Sequence, residues 1–556
     1  MNNAAQLIVR MSSEDESASI HTMDEQQPHI RAFAVIDGII TATSHDADGL
    51  TSLEDINTRV LTIPSGQTVL PGFGDVHLHL LLAGHRITHE LEIQLDWNTQ
   101  QILAAVEQYA ATADPQRWIE GGWWSMLEMD VLNNPDMLAQ FDKASRGIPM
   151  LLRDESAHNR YVNTSALRLM GINPDNASEY SPEVIVDAQG RATGMLVESA
   201  SRWAEETMER TTKRYPDEVA TSLEAAIASM NERGFTLVQD CGTGENMMEA
   251  LHALDAEHRL NSWVVTSASI NDKIFGFTPI GEELIHRSKN YQGTRLYTTF
   301  SKIFEDGIPT SHTAFVHEAY LPDENFGEAW HGSANFSADE LVSWMALLSQ
   351  EHMGVTIHCT GDASVTRVLD AVELAEQQGI RVPVHIAHGE FIQQSDYQRM
   401  RDHAVTLDIS PQLWYPSSFQ EGAFGNMRED IRNSACLFRD QIDAGILLAG
   451  GSDWPCSPDP SAWFGIHGLV TRSNPHGNYP GAVYRADQAI TLDEAIAAFT
   501  INVARATGLE QRTGSISVGK SADFQIAPNP YTCPTDEIRN ITTTATYIAG
   551  EAVYQR

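Results

Sequence analysis

Pro71-Gly-Phe-Gly-Asp-Val-His-Leu-His-Leu80 is the stretch that decides how this chain folds. It continues Gln67-Thr-Val-Leu70, so the run reads as a strand that ends in two histidines spaced i, i+2. Side chains on a strand alternate with a period of two, which sends His77 and His79 to one face and Val76, Leu78 and Leu80 to the other. Two imidazoles close together on one face make half of a metal site. The remaining ligands must then come from other strands whose ends meet this one.

Outward from that strand, the middle of the chain alternates strand-like and helix-like segments, the pattern of a parallel sheet with helical crossovers. Strand candidates are Phe235–Gln239, Ser262–Thr266, Leu296–Phe300, Val355–His358, Val384–His388, Val405–Ile409 and Ile446–Gly450. With the first strand they make eight, the number that closes a (β/α)8 TIM-type barrel. Helical patterns such as Asp339–Leu348 and Ser364–Ala375 lie between them. An open doubly wound sheet is the alternative, but the Gly-rich phosphate turn after its first strand is missing. About 150 residues separate the first strand from Phe235, far more than one crossover needs, so residues 84–233 read as a large insertion over the barrel mouth. Short β-type pieces fill residues 1–70, with an Asp37-Gly38 hairpin signal, and residues 505–556. The two ends are therefore expected to pair into a composite β-sandwich domain beside a barrel spanning 71–504.

The 556 residues are 42% hydrophobic and 20% charged, a globular composition. A net charge of −39, from 36 basic and 75 acidic residues, repels nucleic acid and anionic membranes. A small-molecule substrate is the expected partner, with a homodimer left open. Five cysteines, none in CxxC spacing, argue for a reducing compartment. No basic leader precedes a long apolar run, and no run of apolar residues reaches membrane-spanning length, so the expected location is cytoplasmic.

Five of the barrel strands end in metal-competent residues. The first gives His77 and His79, and the fourth gives Lys302 in Phe300-Ser-Lys-Ile-Phe-Glu-Asp-Gly307. The fifth gives His358 in His358-Cys-Thr-Gly-Asp-Ala363, the sixth His388 in His385-Ile-Ala-His-Gly-Glu390, and the eighth Asp453 in Gly450-Gly-Ser-Asp-Trp-Pro455. In a closed barrel every C-terminal strand end faces the same mouth, and the eighth strand neighbours the first.

With these motifs, and with the closing Gly514-Ser-Ile-Ser-Val-Gly-Lys-Ser-Ala-Asp523, nearly the whole chain resembles the amidohydrolase superfamily. Within it, the chain is similar to the YtcJ-type branch, which includes N-substituted formamide deformylases. The resemblance implies a divalent metal, zinc foremost, at one or two ions per chain, held by His77, His79, His358, His388 and Asp453. In similar proteins the fourth-strand lysine is carboxylated and bridges two metals, a role that falls here on Lys302. A carbamate supplies an anion where an ammonium beside divalent cations would be disfavoured. The alternative is a neutral or displaced Lys302 beside a single ion. One departure stands out: similar proteins carry Glu just before the sixth-strand histidine, and here it is Ala387.

The activity so implied is hydrolysis of a non-peptide carbon–nitrogen bond of a small molecule by a metal-activated water. Asp453 would be the proton shuttle and His158, in the insertion, would touch the substrate carbonyl. Trp123 and Trp124 are candidates to line an apolar substrate pocket, and His312 to touch substrate from a mouth loop. His385, by strand parity, is expected to face away from His388. Asp362 is expected to cap the helix that begins at Ala363, with a secondary role in orienting His358. Two alternatives stay open: a cyclic amide or ester hydrolase, or deaminase, on the same site, and a catalytically silent metal-dependent regulator that binds a small molecule.

Overall fold

Phe73–Leu78, Phe235–Thr243, Trp263–Ser269, Leu296–Phe304, Gly354–Cys359, Val384–His388, Thr406–Ile409 and Leu448–Gly450 form one parallel sheet, and are called β1 to β8 in that order. The computed structural model describes residues 4–15, 18–213, 215, 217–272, 275–322, 326–476 and 479–556. Each strand pairs with the next in sequence, as right-handed crossovers dictate. Their outward side chains, among them Val238, Val264, Ile303, Ile357, Ile386 and Leu407, are buried in one apolar cluster with the surrounding helices. Truncating any one of them to Ala would cost about 2–5 kcal/mol, which is what holds the sheet in its curved form.

The barrel closes just beyond the end of β8. Leu78 bridges Trp454 in parallel register, the amide of Asp453 donates to the carbonyl of His77 at 2.7 Å, and the amide of His79 donates to that of Trp454 at 2.8 Å. Asp75 stitches the seam: its buried carboxylate accepts from the amide of His77 at 2.9 Å and from that of Ser452 at 3.1 Å. Gly451 is required by the close approach, because a Cβ there would lie 2.7 Å from Cβ of His77.

Between helix Leu80–Thr88 (α1) and helix Glu218–Glu232 (α2), the chain builds a mixed six-stranded sheet that includes Ile119–Trp124, Met150–Asp154, Asn159–Val162 and Ala192–Val197. α1 and α2 themselves pack against each other, with Gly84 against Ser222. Two four-stranded sheets lie at the ends of the chain. One holds Leu7–Met11, Ala32–Ile36, Ile39–Ser44 and Arg59–Ile63; the other holds Gln67–Pro71, Phe524–Pro528, Ala545–Ile548 and Glu551–Gln555. Leu7, Val9, Phe33, Val69, Phe524 and Tyr547 from both sheets share one apolar cluster. Gln67–Pro71 runs directly into β1, so this cluster anchors the strand that carries the two histidines. Among the described residues no helix is long and apolar enough to cross a membrane.

Candidate active site

β1 delivers His77 and His79 to the barrel mouth with their rings 5.7 Å apart between centroids. Lys302 of β4 places Nζ 3.3 Å from Nε2 of His77. His388, at the end of β6, sets its ring 4.7 Å from those of both His77 and His358, tilted to the first and edge-on to the second. Asp453 reaches back across the seam, with Oδ1 3.3 Å from Nε2 of His79 and 3.8 Å from Nε2 of His77. His158, from the turn between strands 150–154 and 159–162, lies 5.7 Å from the ring of His358. These seven side chains line a single cavity, and each residue is 7% exposed or less. The free space above them is about 30 Å³, room for one or two water-sized groups. A second cavity, of about 570 Å³, shares His79 with the first.

Further contacts orient the imidazoles. Asp408 of β7 accepts from Nδ1 of His77 at 2.5 Å. Oδ1 of Asp306 lies 3.4 Å from Nδ1 of His358, while its two oxygens also accept from the amides of Thr360 and Gly361 and from Oγ of Ser364. Ser410 sets its hydroxyl 3.4 Å from Nδ1 of His388. Such outer partners fix which ring nitrogen is left with a free lone pair. Burial drives the His77 and His358 imidazoles well below their ordinary range and His388 down to about 3; Lys302 and the neighbouring imidazoles add to it, while Asp453 opposes it at His77 and His388. Burial opposes ionisation of Asp453, but its hydrogen bond with His79 and the imidazoles around it hold it well below the usual carboxylate range. Neutral imidazoles beside an ionised carboxylate are the donor set of a divalent cation. Two further observations fit: Nδ1 of His79 is buried with no partner among the described residues, and Lys302, 1% exposed, forms no ion pair among them.

Several expectations need correction. Trp124 is fully buried in the core of the insertion's sheet and donates to the carbonyl of Leu152, and Trp123 lies beneath the guanidinium of Arg86; neither lines the cavity above the cluster. Both belong to a strand covered on its two faces, so their size serves packing. His312 stacks on Phe326 and lies tilted against Tyr320, and it is not among the residues that line the cavity. Asp362 is no cap: Gly361 occupies that position, and the Asp362 carboxylate accepts from the amide of His317 and from Gln393. Asp306, not Asp362, meets His358.

Strand parity also misplaces the two β6 histidines. His385 shares its register with Thr356 and Lys302 and so points into the barrel, bonded to Thr356 and to the carbonyl of Ala506. His388 should then point outward, but its backbone adopts φ +68°, which turns the ring back over the mouth. Asp408 and Glu198, which meet His77 and His158, were not foreseen. The only signal for Asp408 was an acid in an otherwise apolar strand, Val405-Thr-Leu-Asp-Ile409.

A parallel barrel with imidazoles and carboxylates gathered at the C-terminal ends of its strands defines the class: metal-dependent hydrolases that act on carbon–nitrogen bonds. Residues 65–554 match the model of the amidohydrolase family, and the chain belongs to that family. It is 27% identical to the N-substituted formamide deformylase of Arthrobacter pascens, over 97% of this chain and 98% of the relative. It is 25% identical to the putative amidohydrolase YtcJ of Bacillus subtilis (strain 168), again over 97% and 98%. Among solved structures, an uncharacterized metal-dependent hydrolase from Pyrococcus horikoshii OT3 superposes with a TM-score of 0.74 at 18% identity, covering 95% of this chain and 99% of that one.

Proposed function

We propose that this chain hydrolyses the amide bond of a small N-acyl compound, with a formyl-sized acyl group held above the histidine cluster. The observation that carries the reading is the Asp453 carboxylate, set 3.3 Å from His79 in the cavity that the histidine cluster lines. The relative from Arthrobacter is named for N-substituted formamides, which directs the reading to a formyl group.

His77, His79, His358, His388 and Asp453 would hold the ion, with Lys302 as its carbamate between two of them if the site is binuclear. A donor set of imidazole nitrogens with a carboxylate suits zinc. When bound, the ion lowers the pKa of water and polarises the substrate carbonyl. Asp453 takes the proton released as water attacks the carbonyl carbon, and returns it to the amide nitrogen as the carbon–nitrogen bond breaks. His158, which lines the same cavity, donates to the oxygen on which charge builds. Asp408, Asp306 and Ser410 hold the other imidazoles in register. The free cysteines fit a reducing compartment such as the cytoplasm.

The test pairs elemental analysis of the purified protein with a panel of N-formyl, N-acetyl, lactam, ester and aminopurine substrates. Zinc at one or two equivalents with preferential release of formate supports the reading. Turnover of the lactams, esters or aminopurines in place of the formamides would replace it, and binding without turnover of any would favour a regulator.

A further inference from the structure

His158 comes from the insertion and must be held against a barrel to which its own strand does not belong. Its carbonyl accepts from the amide of Glu198 at 3.2 Å and from Oγ of Ser201 at 2.9 Å, and its ring Nδ1 lies 3.4 Å from both carboxylate oxygens of Glu198. Glu198 stands between strand Ala192–Val197 and helix Ser199–Thr211 with φ +48° and ψ −115°, a conformation side chains rarely adopt. The Glu198 side chain is turned inward, where it is 10% exposed. There Oε1 accepts from the hydroxyl of Thr313, which also takes the amide of Ile308 at 2.9 Å. Ile308 lines the cavity above the cluster. Gly307 leaves the space, since a Cβ on it would lie 2.8 Å from Oε1 of Glu198.

We propose that Glu198 is the positioning residue for His158: a strained, buried carboxylate that joins the insertion to the loop after β4 and fixes the imidazole over the reacting carbonyl. The proposal rests on the role given above to His158. Strain kept at one backbone position and offset by hydrogen bonds to His158 and Thr313 is the mark of a residue retained for where it puts a neighbour. By donating Nδ1–H to Glu198, the ring aims Nε2 at the cavity and loses the freedom to turn away.

A double-mutant cycle on the metal-loaded enzyme tests this. Glu198→Ala should lower kcat about 10- to 100-fold with KM changed less than about threefold and metal content unchanged. In a His158→Ala background the same change should have no further effect. Glu198→Gln, which keeps the Thr313 contact, should fall between and carries the test if the alanine variant does not fold. In selectively 15N-labelled protein, without substrate, the His158 ring signal should move from a single Nδ1–H form to a mixture in Glu198→Gln. An equal loss in both backgrounds, or an unmoved ring signal, would reduce Glu198 to a structural strap and overturn the proposal. Full activity in His158→Ala alone would sink the role of His158 and the proposal with it, while leaving the hydrolase reading standing.

Discussion

Asp453 sits at φ +55° immediately after Gly450-Gly-Ser452, so its carboxylate is placed by backbone, not by a flexible side chain. Asp453→Asn keeps the shape and the hydrogen bond to His79 but removes the base. Turnover should fall at least about 100-fold while elemental analysis finds metal close to the parental level; near-normal turnover would remove Asp453 as the shuttle. Glu155, in the turn that carries His158, gives a pH test free of the metal. Burial pushes its carboxyl from 4.5 to about 7. The folded chain therefore keeps a proton that the unfolded chain releases above 4.5. The stability tied to it is full below that pH and lost as pH rises through 7, a difference of roughly 3 kcal/mol. Glu155→Gln should abolish the dependence, so melting curves of parent and variant should diverge between pH 5 and 8, with the parent falling.

At the scale of the element, α1 follows directly on His79 and so sets where that imidazole ends up. Its contact with α2 is made at Gly84, where a Cβ would come 2.0 Å from the carbonyl of Ser222. Gly84→Ala should cost about 1–3 kcal/mol by forcing the helices apart, seen as a lower denaturation midpoint, and should reduce metal content by shifting His79. The barrel strands were legible because each is an apolar run of strand length, and the strand-end motifs marked their C-terminal ends. What could not be read was set by contacts distant in sequence or by single backbone angles. Asp408 has meaning only beside His77, and nothing in its own strand announces that neighbour. His388 escapes parity through one left-handed residue. Trp123 and Trp124 read equally well as pocket or core, and only the covering of both sheet faces decides for core. Glu198 lies between a strand and a helix in a segment whose sequence resembles any connection.

For the whole molecule, a cluster of buried imidazoles and a lone buried lysine is costly until an ion occupies it. Chelation should lower the melting temperature, and restoring zinc at a hundredfold its dissociation constant should return about 2.7 kcal/mol, read by calorimetry. An unchanged transition would mean that the cluster does not bind metal tightly. The seam between β1 and β8 carries a last consequence. His79 and Asp453 meet only there, through the same amides that close the barrel. During synthesis the first of the pair leaves the ribosome long before the second, and a clipped or half-assembled chain keeps them apart. On the role proposed for Asp453, the clasp of the barrel and its acting pair are one feature, so a copy whose seam has not closed would have no hydrolytic activity.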